Sequence, residues 1–320
     1  MKKYTILVSG ASGIVGYGVL KSLQNSGFTL IGTTIYDESP ANCFADIIEK
    51  APMTCESEYL QWLIALIDKY NIDMLIPAIE ADMYKWNDFK EKIDKTGAKV
   101  VLNNSDLINI CEDKWCFYEK LKKEKFKYCI ETSIIANTSQ FKLPFILKPR
   151  KGYGSKGVVK IEKRENFENY KSIIGKTLLM QEYVGSDDEE YTVSAFFDKE
   201  SNIKAQIIMK RKLSKEGYTQ IAEVVFLEDI LEIIDNLSSI FKPIGPTNFQ
   251  FRRHNGSWKL LEINPRISSS TSIKTAFGYN EARMCIDYFL NGKEIKQPKI
   301  RTGKAIRYIE DYILYDSNII

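Results

Sequence analysis

The chain has 320 residues, 44% hydrophobic and 27% charged, with 45 Lys and Arg against 42 Asp and Glu. That composition fits a globular protein with room for two domains, and a net charge of +3 leaves no large basic surface for nucleic acid. With one histidine, His254, and six cysteines lacking a C-x-x-C pair, any Ser-His-Asp triad, Cys-His pair or His-rich zinc site would have to be built around that single imidazole.

The apolar run Ile6 to Val8 breaks at Ser9-Gly10, short of the ~7–15 residues of a signal-peptide core, and no run approaches the ~18 apolar residues of a membrane span. A cytoplasmic protein with reduced thiols and no membrane partner is expected. The basic run "KLKKEKFK", Lys120 to Lys127, reads as a solvated helix face.

In the first hundred residues, Val- and Ile-rich runs alternate with amphipathic stretches. "TILVS" passes through Gly10, Gly13 and Gly16 into a helical run to about Asn25, and "FTLIGTT" precedes a turn with Asp37, Ser39 and Pro40. From Glu58 to Tyr70, Leu60, Leu63, Ile64 and Ile67 recur at three and four residues, which is helical; "IDMLIPA" and "AKVVLN" follow as strands. The alternation predicts βαβ units in a doubly wound parallel sheet, with a boundary at Asn103 to Leu107. G-x-x-G-x-x-G between strand and helix also suits a dinucleotide pyrophosphate. On that reading Asp37 takes a ribose hydroxyl and Tyr118 with Lys122 forms a Y-x-x-x-K acid–base pair, which would make an NAD(P)-dependent dehydrogenase or epimerase.

The second half changes character. After a helix from about Glu112 to Lys125, strands come as hairpin-like pairs: "FILKP" with "GVVKI", "LLMQEYV" with "EYTVSAFF", and "TNFQFRR" with "SWKLLEIN". The first pair encloses Lys151, Gly152, Gly154, Ser155, Lys156 and Gly157. It is not a Walker A loop, but small residues and cations on a hairpin tip can close over a triphosphate. In the last pair, a three-residue loop His254-Asn255-Gly256 sets Gln250 against Leu260 and Asn248 against Glu262. Phe249, Phe251, Leu261 and Ile263 then share an apolar face, with Asn248, Gln250, Glu262 and Asn264 on the other; a two-residue loop would separate Gln250 from Glu262. Such oxygen donors, with Arg266 beyond, suit Mg²⁺ carrying phosphates. Gln181 to Val184 end a strand where backbone could meet an adenine edge, and Glu190 could take a ribose hydroxyl.

The order DK, K-P with a glycine loop, Q-E-Y-V, E-Y-T-V, N-x-Q-F and L-E-I-N-P-R resembles the ATP-grasp superfamily, in its carbamoyl-phosphate-synthase-like branch. The resemblance runs from about Asp106 to the C-terminus. It implies a Rossmann-like front domain at 1–105 and an ATP-grasp domain at 106–320, divided into a lid at about 115–183 and a metal and phosphate part at about 184–320. The fold class is α/β, α+β in the second half, a parallel sheet in front of mainly antiparallel ones. The resemblance further implies that Lys114 and Lys148 contact ATP phosphates under the loop Lys151 to Gly157. Gln181, Glu182, Tyr183 and Val184 frame adenine, Glu190 binds ribose, and Gln250, Glu262 and Asn264 hold Mg²⁺ (or Mn²⁺). Arg266 meets the transferred phosphoryl, with Lys210 or Arg211 as a further phosphate contact.

The segment "ISSSTSIKTAFG" lacks the second arginine that follows N-P-R in synthases of that branch. A single ATP-grasp unit without a glutaminase domain argues against carbamoyl phosphate synthesis itself. The expected reaction is ATP-dependent ligation of a small-molecule carboxylate to an amine through an acyl phosphate. Glu80 or Asp82, after the strand "IDMLIP", are candidates to recognise the amine, and Ser268 and Ser269 in "SSST" to meet the carboxylate. A homodimer is compatible with the sequence, as is a non-catalytic ATP-binding protein, though the metal carboxylate is present.

Overall fold

Ile6, Leu7 and Val8 are fully buried, Ile6 and Val8 in one core and Leu7 in another, because neighbouring strand residues point to opposite faces. They lie in β1 (Thr5–Val8), the centre of a five-stranded parallel sheet with β2 (Thr29–Thr34), β3 (Ile47–Lys50), β4 (Met74–Ile76) and β5 (Lys99–Val100), ordered β3-β2-β1-β4-β5. The helices of this part are α1 (Ile14–Leu23), α2 (Tyr59–Tyr70), α3 (Glu80–Asp88) and α4 (Lys90–Asp94). Helix α2 buries Leu63, Leu66 and Ile67 with Leu7, whereas α1 buries Val15, Val19 and Leu20 in a core that continues into the second half through Ile207, Met209 and Tyr279. This computed structural model describes residues 3–152, 154, 156–214 and 217–314, and no helix among them is long and apolar enough to cross a membrane.

The glycine turn has a packing cause. Gly10 sits at φ +58°, and a Cβ on Gly16 would lie 2.3 Å from the Gly10 carbonyl oxygen. Only glycine lets α1 settle this closely onto the end of β1. Of the other residues that pointed to a dehydrogenase, Asp37 forms an exposed ion pair with Lys50 at 2.6 Å, and Tyr118 and Lys122 both donate to Glu131, at 2.6 and 3.2 Å.

The predicted helix at Glu112 to Lys125 is two helices, α5 (Ser105–Glu112) and α6 (Lys114–Lys123). Asp113 between them is extended, and its carboxylate accepts from the Trp115 N–H at 2.8 Å, capping α6. Next comes a four-stranded antiparallel sheet of β6 (Thr132–Ser133), β7 (Phe145–Pro149), β8 (Val159–Ile161) and β9 (Leu178–Glu182), ordered β6-β9-β7-β8. A six-stranded antiparallel sheet follows, ordered β14-β13-β10-β11-β12-β15. Its elements are β10 (Glu190–Phe197), β11 (Ile203–Leu213), β12 (Thr219–Val224), helix α7 (Glu228–Phe241), β13 (Gly245–His254), β14 (Ser257–Asn264), helices α8 (Thr271–Ala276) and α9 (Glu281–Cys285), and β15 (Lys304–Ile306).

One expected hairpin is therefore not one. "LLMQEYV" and "EYTVSAFF" belong to different sheets: β9 pairs with β7 and β6, β10 with β11 and β13. Gly185 at φ +64° and a short 3₁₀ turn at Asp187–Glu189 carry the chain from one sheet to the other. A glycine turn between two apolar strands looks the same in sequence whether it closes a hairpin or crosses between sheets.

Candidate active site

A cavity of about 810 Å³ lies between the two antiparallel sheets and the C-terminal edge of the parallel one, where Gly13, Ile14, Ala78, Ile79 and Glu80 reach it. Among its lining residues cations outnumber carboxylates seven to four, so the concave wall favours a polyanion. Its size falls in the upper part of the range for small-molecule sites, roughly 300–1,000 Å³.

The metal-candidate hairpin differs from its expected geometry in two ways that cancel. The loop has two residues, Asn255 and Gly256, both at positive φ (+49° and +75°), and His254 pairs with Ser257. That register alone would separate Gln250 from Glu262. A bulge restores them: Phe251 faces Leu260, Leu261 is the extra residue, and Gln250 lies directly opposite Glu262. Leu260 consequently packs in the core with Phe249, Phe251 and Ile263, whereas Leu261, expected on the apolar face, lines the cavity and is not part of that core.

Glu262 Oε1 accepts from Gln250 Nε2 at 2.5 Å and from Asn264 Nδ2 at 3.0 Å, while Gln250 Oε1 accepts from Arg211. Glu262 Oε2 and Asn264 Oδ1 have no partner among the described residues, which leaves a carboxylate and an amide oxygen for a hard cation. No cluster of three His, Cys, Asp or Glu able to hold a metal exists among the described residues. The donor set therefore fits Mg²⁺ that completes its shell with phosphate and water, not an all-protein cage.

Lys148 is the last residue but one of β7 and Lys114 opens α6, both on the cavity wall. Burial, with the Lys114 ammonium beside it, pushes Lys148 down to about 8 against the pull of Glu262. Burial also lowers Lys114, opposed by Glu262, Asp113 and Glu80. Lys114 Nζ donates to the Gly152 carbonyl at 2.7 Å, tying α6 to the glycine loop. In that loop Gly152, Gly154 and Lys156 line the cavity. Gly157 does not, and Lys151 is drawn off by Glu112 at 3.0 Å. Ser155 lies outside the described residues.

Gln181, Glu182, Tyr183 and Val184 all line the cavity, and Gln181 Nε2 donates to Thr132 at 2.9 Å. Beyond the end of β9 the backbone N–H and C=O groups of Tyr183 and Val184 have no hydrogen-bond partner among the described residues, an open edge that a purine can match.

Four further residues depart from their expected roles. Gln250, expected among the metal donors, has its Oε1 taken by Arg211 and its Nε2 by Glu262. Glu190 is not a free ribose acceptor: Arg211 donates to its Oε1 at 2.8 and 3.1 Å, and Arg252 to its Oε2 at 2.9 and 3.1 Å. Lys210 lies outside the cavity wall and pairs with Glu189 at 2.6 Å; strand alternation in β11 turns Arg211 inward instead. Asp82 is buried away from the cavity, accepting from Thr54 and Tyr59 at 2.6 and 2.7 Å.

Glu80, by contrast, lines the cavity and receives a hydrogen bond from Arg266, which joins the front sheet to the L-E-I-N-P-R segment. Burial works against the Arg266 charge, but Glu80 outweighs it and holds the guanidinium above its usual range. Ser268 and Ser269 also line the wall. Arg252 and Lys160 were missed by sequence reasoning; Arg252 has Gln250's phase on β13, and that alternation was the available signal.

Two family models match the sequence. Residues 175–312 match ATP-grasp in the biosynthetic pathway with Ter operon, and residues 7–101 match the PylC-like N-terminal domain. The first match places an ATP-grasp domain at residues 175–312. A search of curated proteins finds no match. Among solved structures, N5-carboxyaminoimidazole synthetase from Staphylococcus aureus, complexed with ADP, is similar at TM-score 0.74 and 16% identity, over 93% of this chain and 81% of that one. Biotin carboxylase from Campylobacter jejuni is similar at TM-score 0.74 and 15% identity, over 95% and 74%. L-amino acid ligase from Bacillus licheniformis gives 0.68 and 13%, over 92% and 76%. These likenesses establish the ATP-grasp fold, with its parallel front sheet and antiparallel second half.

Proposed function

We propose that this ATP-grasp protein is a ligase that joins a carboxylate to an amine at the expense of ATP, through an acyl phosphate. The observation that carries the reading is the pair of free oxygens, Glu262 Oε2 and Asn264 Oδ1, in one cavity with Lys114 and Lys148. Glu262 and Asn264 would hold Mg²⁺, which when bound screens phosphate charge and orients the nucleotide.

The chain's own groups do the rest. Lys148, Lys114 and the loop around Gly154 and Lys156 bind the polyphosphate, and the open edge at Tyr183 and Val184 takes the base. A carboxylate oxygen attacks the γ-phosphorus and the bond to the ADP oxygen breaks. The amine lone pair then attacks the acyl carbon, the C–O bond to phosphate breaks, and the nitrogen loses its proton to solvent. Positioning and charge neutralisation supply the acceleration, so no histidine base is required. The ADP-bound synthetase and the amino acid ligase among the similar structures support nucleotide use and carboxylate–amine chemistry as a class.

The test is ADP release from Mg-ATP across panels of carboxylates and amines. Release that needs both, with ¹⁸O passing from the labelled carboxylate into phosphate, is the expected result. Release that ignores the carboxylate would overturn the reading.

A further inference from the structure

Lys274 is wholly inaccessible, although nothing in the ligation scheme uses it. Its Nζ donates to Ser194 Oγ at 2.8 Å, to Ser268 Oγ at 3.1 Å and to Glu281. Glu281 is equally buried, and its Oε2 has no partner among the described residues. Burial disfavours the Lys274 charge, and Glu281 opposes that effect. A buried ion pair is poor value as a stabiliser, since apolar side chains of similar volume commonly do as well or better. Here the pair sets the direction of hydrogen bonds.

An ammonium has three donors and no acceptor, so both serines must accept from it and turn their own protons elsewhere. Ser194 gives its proton to Asn248 Oδ1 at 2.9 Å, and Thr192 does the same at 2.7 Å. Asn248 is fully buried and lies opposite Asn264, so this branch stiffens the hairpin that carries Glu262. The other branch stops at Ser268. Its hydroxyl proton has no acceptor among the described residues, and Ser268 lines the cavity. It follows Arg266 by two residues, where the cavity meets Glu80 of the front sheet, whereas the ammoniums of Lys114 and Lys148 come from α6 and the four-stranded sheet.

We propose that the buried Lys274–Glu281 pair is a positioning device that commits the Ser268 hydroxyl to donate to an anionic oxygen of the carboxylate substrate. Ser268 reads the carboxylate, and Lys274 acts through it. This rests on the ligase reading above.

Acetate is the carboxylate probe and inorganic phosphate the control anion. Each is titrated against the full-length chain saturated with Mg-ADP, and affinity is read from the concentration dependence of the melting temperature. Ser268→Ala is expected to weaken acetate by roughly tenfold or more, the loss of one hydrogen bond to a charged group, with phosphate and Mg-ATP affinity unchanged. Ser268→Thr, which keeps the hydroxyl, restores acetate binding. The double variant Lys274→Met with Glu281→Leu removes the pair without stranding one charge and reproduces the loss. If that double variant does not fold, the Ala and Thr variants at 268 still decide whether Ser268 reads the carboxylate; a folded double variant that binds acetate like the wild type would overturn the role of the pair.

Acetate bound by Ser268→Ala as tightly as by the wild type would overturn the proposal, as would a larger loss for phosphate than for acetate. Wild type that binds Mg-ATP but no acetate removes this proposal alone. Wild type that fails to bind Mg-ATP removes the ligase reading with it.

Discussion

Two glycine-rich turns face the same cavity and use glycine for opposite reasons. In the front turn the glycines are crowded: a Cβ on Gly10 would meet Ile79 Cγ2 at 2.5 Å, and one on Gly16 the Gly10 carbonyl oxygen at 2.3 Å. In the loop after β7, a Cβ on Gly154 would have nothing within 4 Å and one on Gly152 only Pro149 at 3.8 Å, yet both sit at positive φ, +65° and +133°. The first turn needs glycine above all for lack of space, with Gly10 also at φ +58°, and the second, at Gly152 and Gly154, for backbone freedom. Composition does not separate a scaffold joint from a loop that closes over a ligand; the surroundings of the missing Cβ do.

If the chemistry belongs to the antiparallel half, the largest effect comes from Glu262→Ala. ADP formation is expected to fall at least roughly 10²-fold, the scale of losing one electrostatic stabiliser, with the melting temperature near wild type. Full residual activity would move the metal site elsewhere. Gly16→Ala probes the other side. Overpacking against backbone costs roughly 1–3 kcal/mol, so the urea midpoint should drop while ADP formation per folded molecule persists. An undiminished midpoint with lost nucleotide binding would reverse the comparison and hand the front turn a phosphate.

A subtler effect follows from Lys148, whose ammonium is held down to about 8 in the free protein. The charged form binds phosphate, so KM for ATP should rise as pH climbs from 7 to 9, with roughly nine-tenths of that charge lost a unit above the pKa. Lys148→Met should raise KM throughout and flatten that profile; a rise that survives the substitution assigns it to another group. Smallest is Gly154→Ala, a left-handed residue in open space. The exposed loop can relieve its strain of roughly 1–2 kcal/mol by shifting locally, so the cost should appear as a severalfold higher KM for ATP with an unchanged urea midpoint. A fall in the midpoint instead would make that loop a structural joint like the front turn.

Much was legible from residue type and period. "TILVS" is buried on both faces, so it reads as a continuous apolar run, and its parallel sheet followed. L-E-I-N-P-R after N-x-Q-F led to the ATP-grasp family, and Gln250, Glu262 and Asn264 do share one cluster. Their union came about by another route than expected, since the two-residue loop and the bulge at Leu261 each shift the register by one. A bulge leaves no local signature that alternation alone can detect.

What the sequence by itself determined is what depends on near neighbours: strand and helix periods, glycine in the tight turns, and the chemistry of each side chain. Tertiary structure alone decided what depends on residues far apart in the chain. It placed β9 and β10 in separate sheets, gave Glu190 to two arginines, joined Arg266 to Glu80, and buried Lys274 with Glu281 beneath Ser268. A hydrogen bond between residues 186 positions apart has no period to betray it. It exists because folding brings two cores together, and the charge left between them must find a partner.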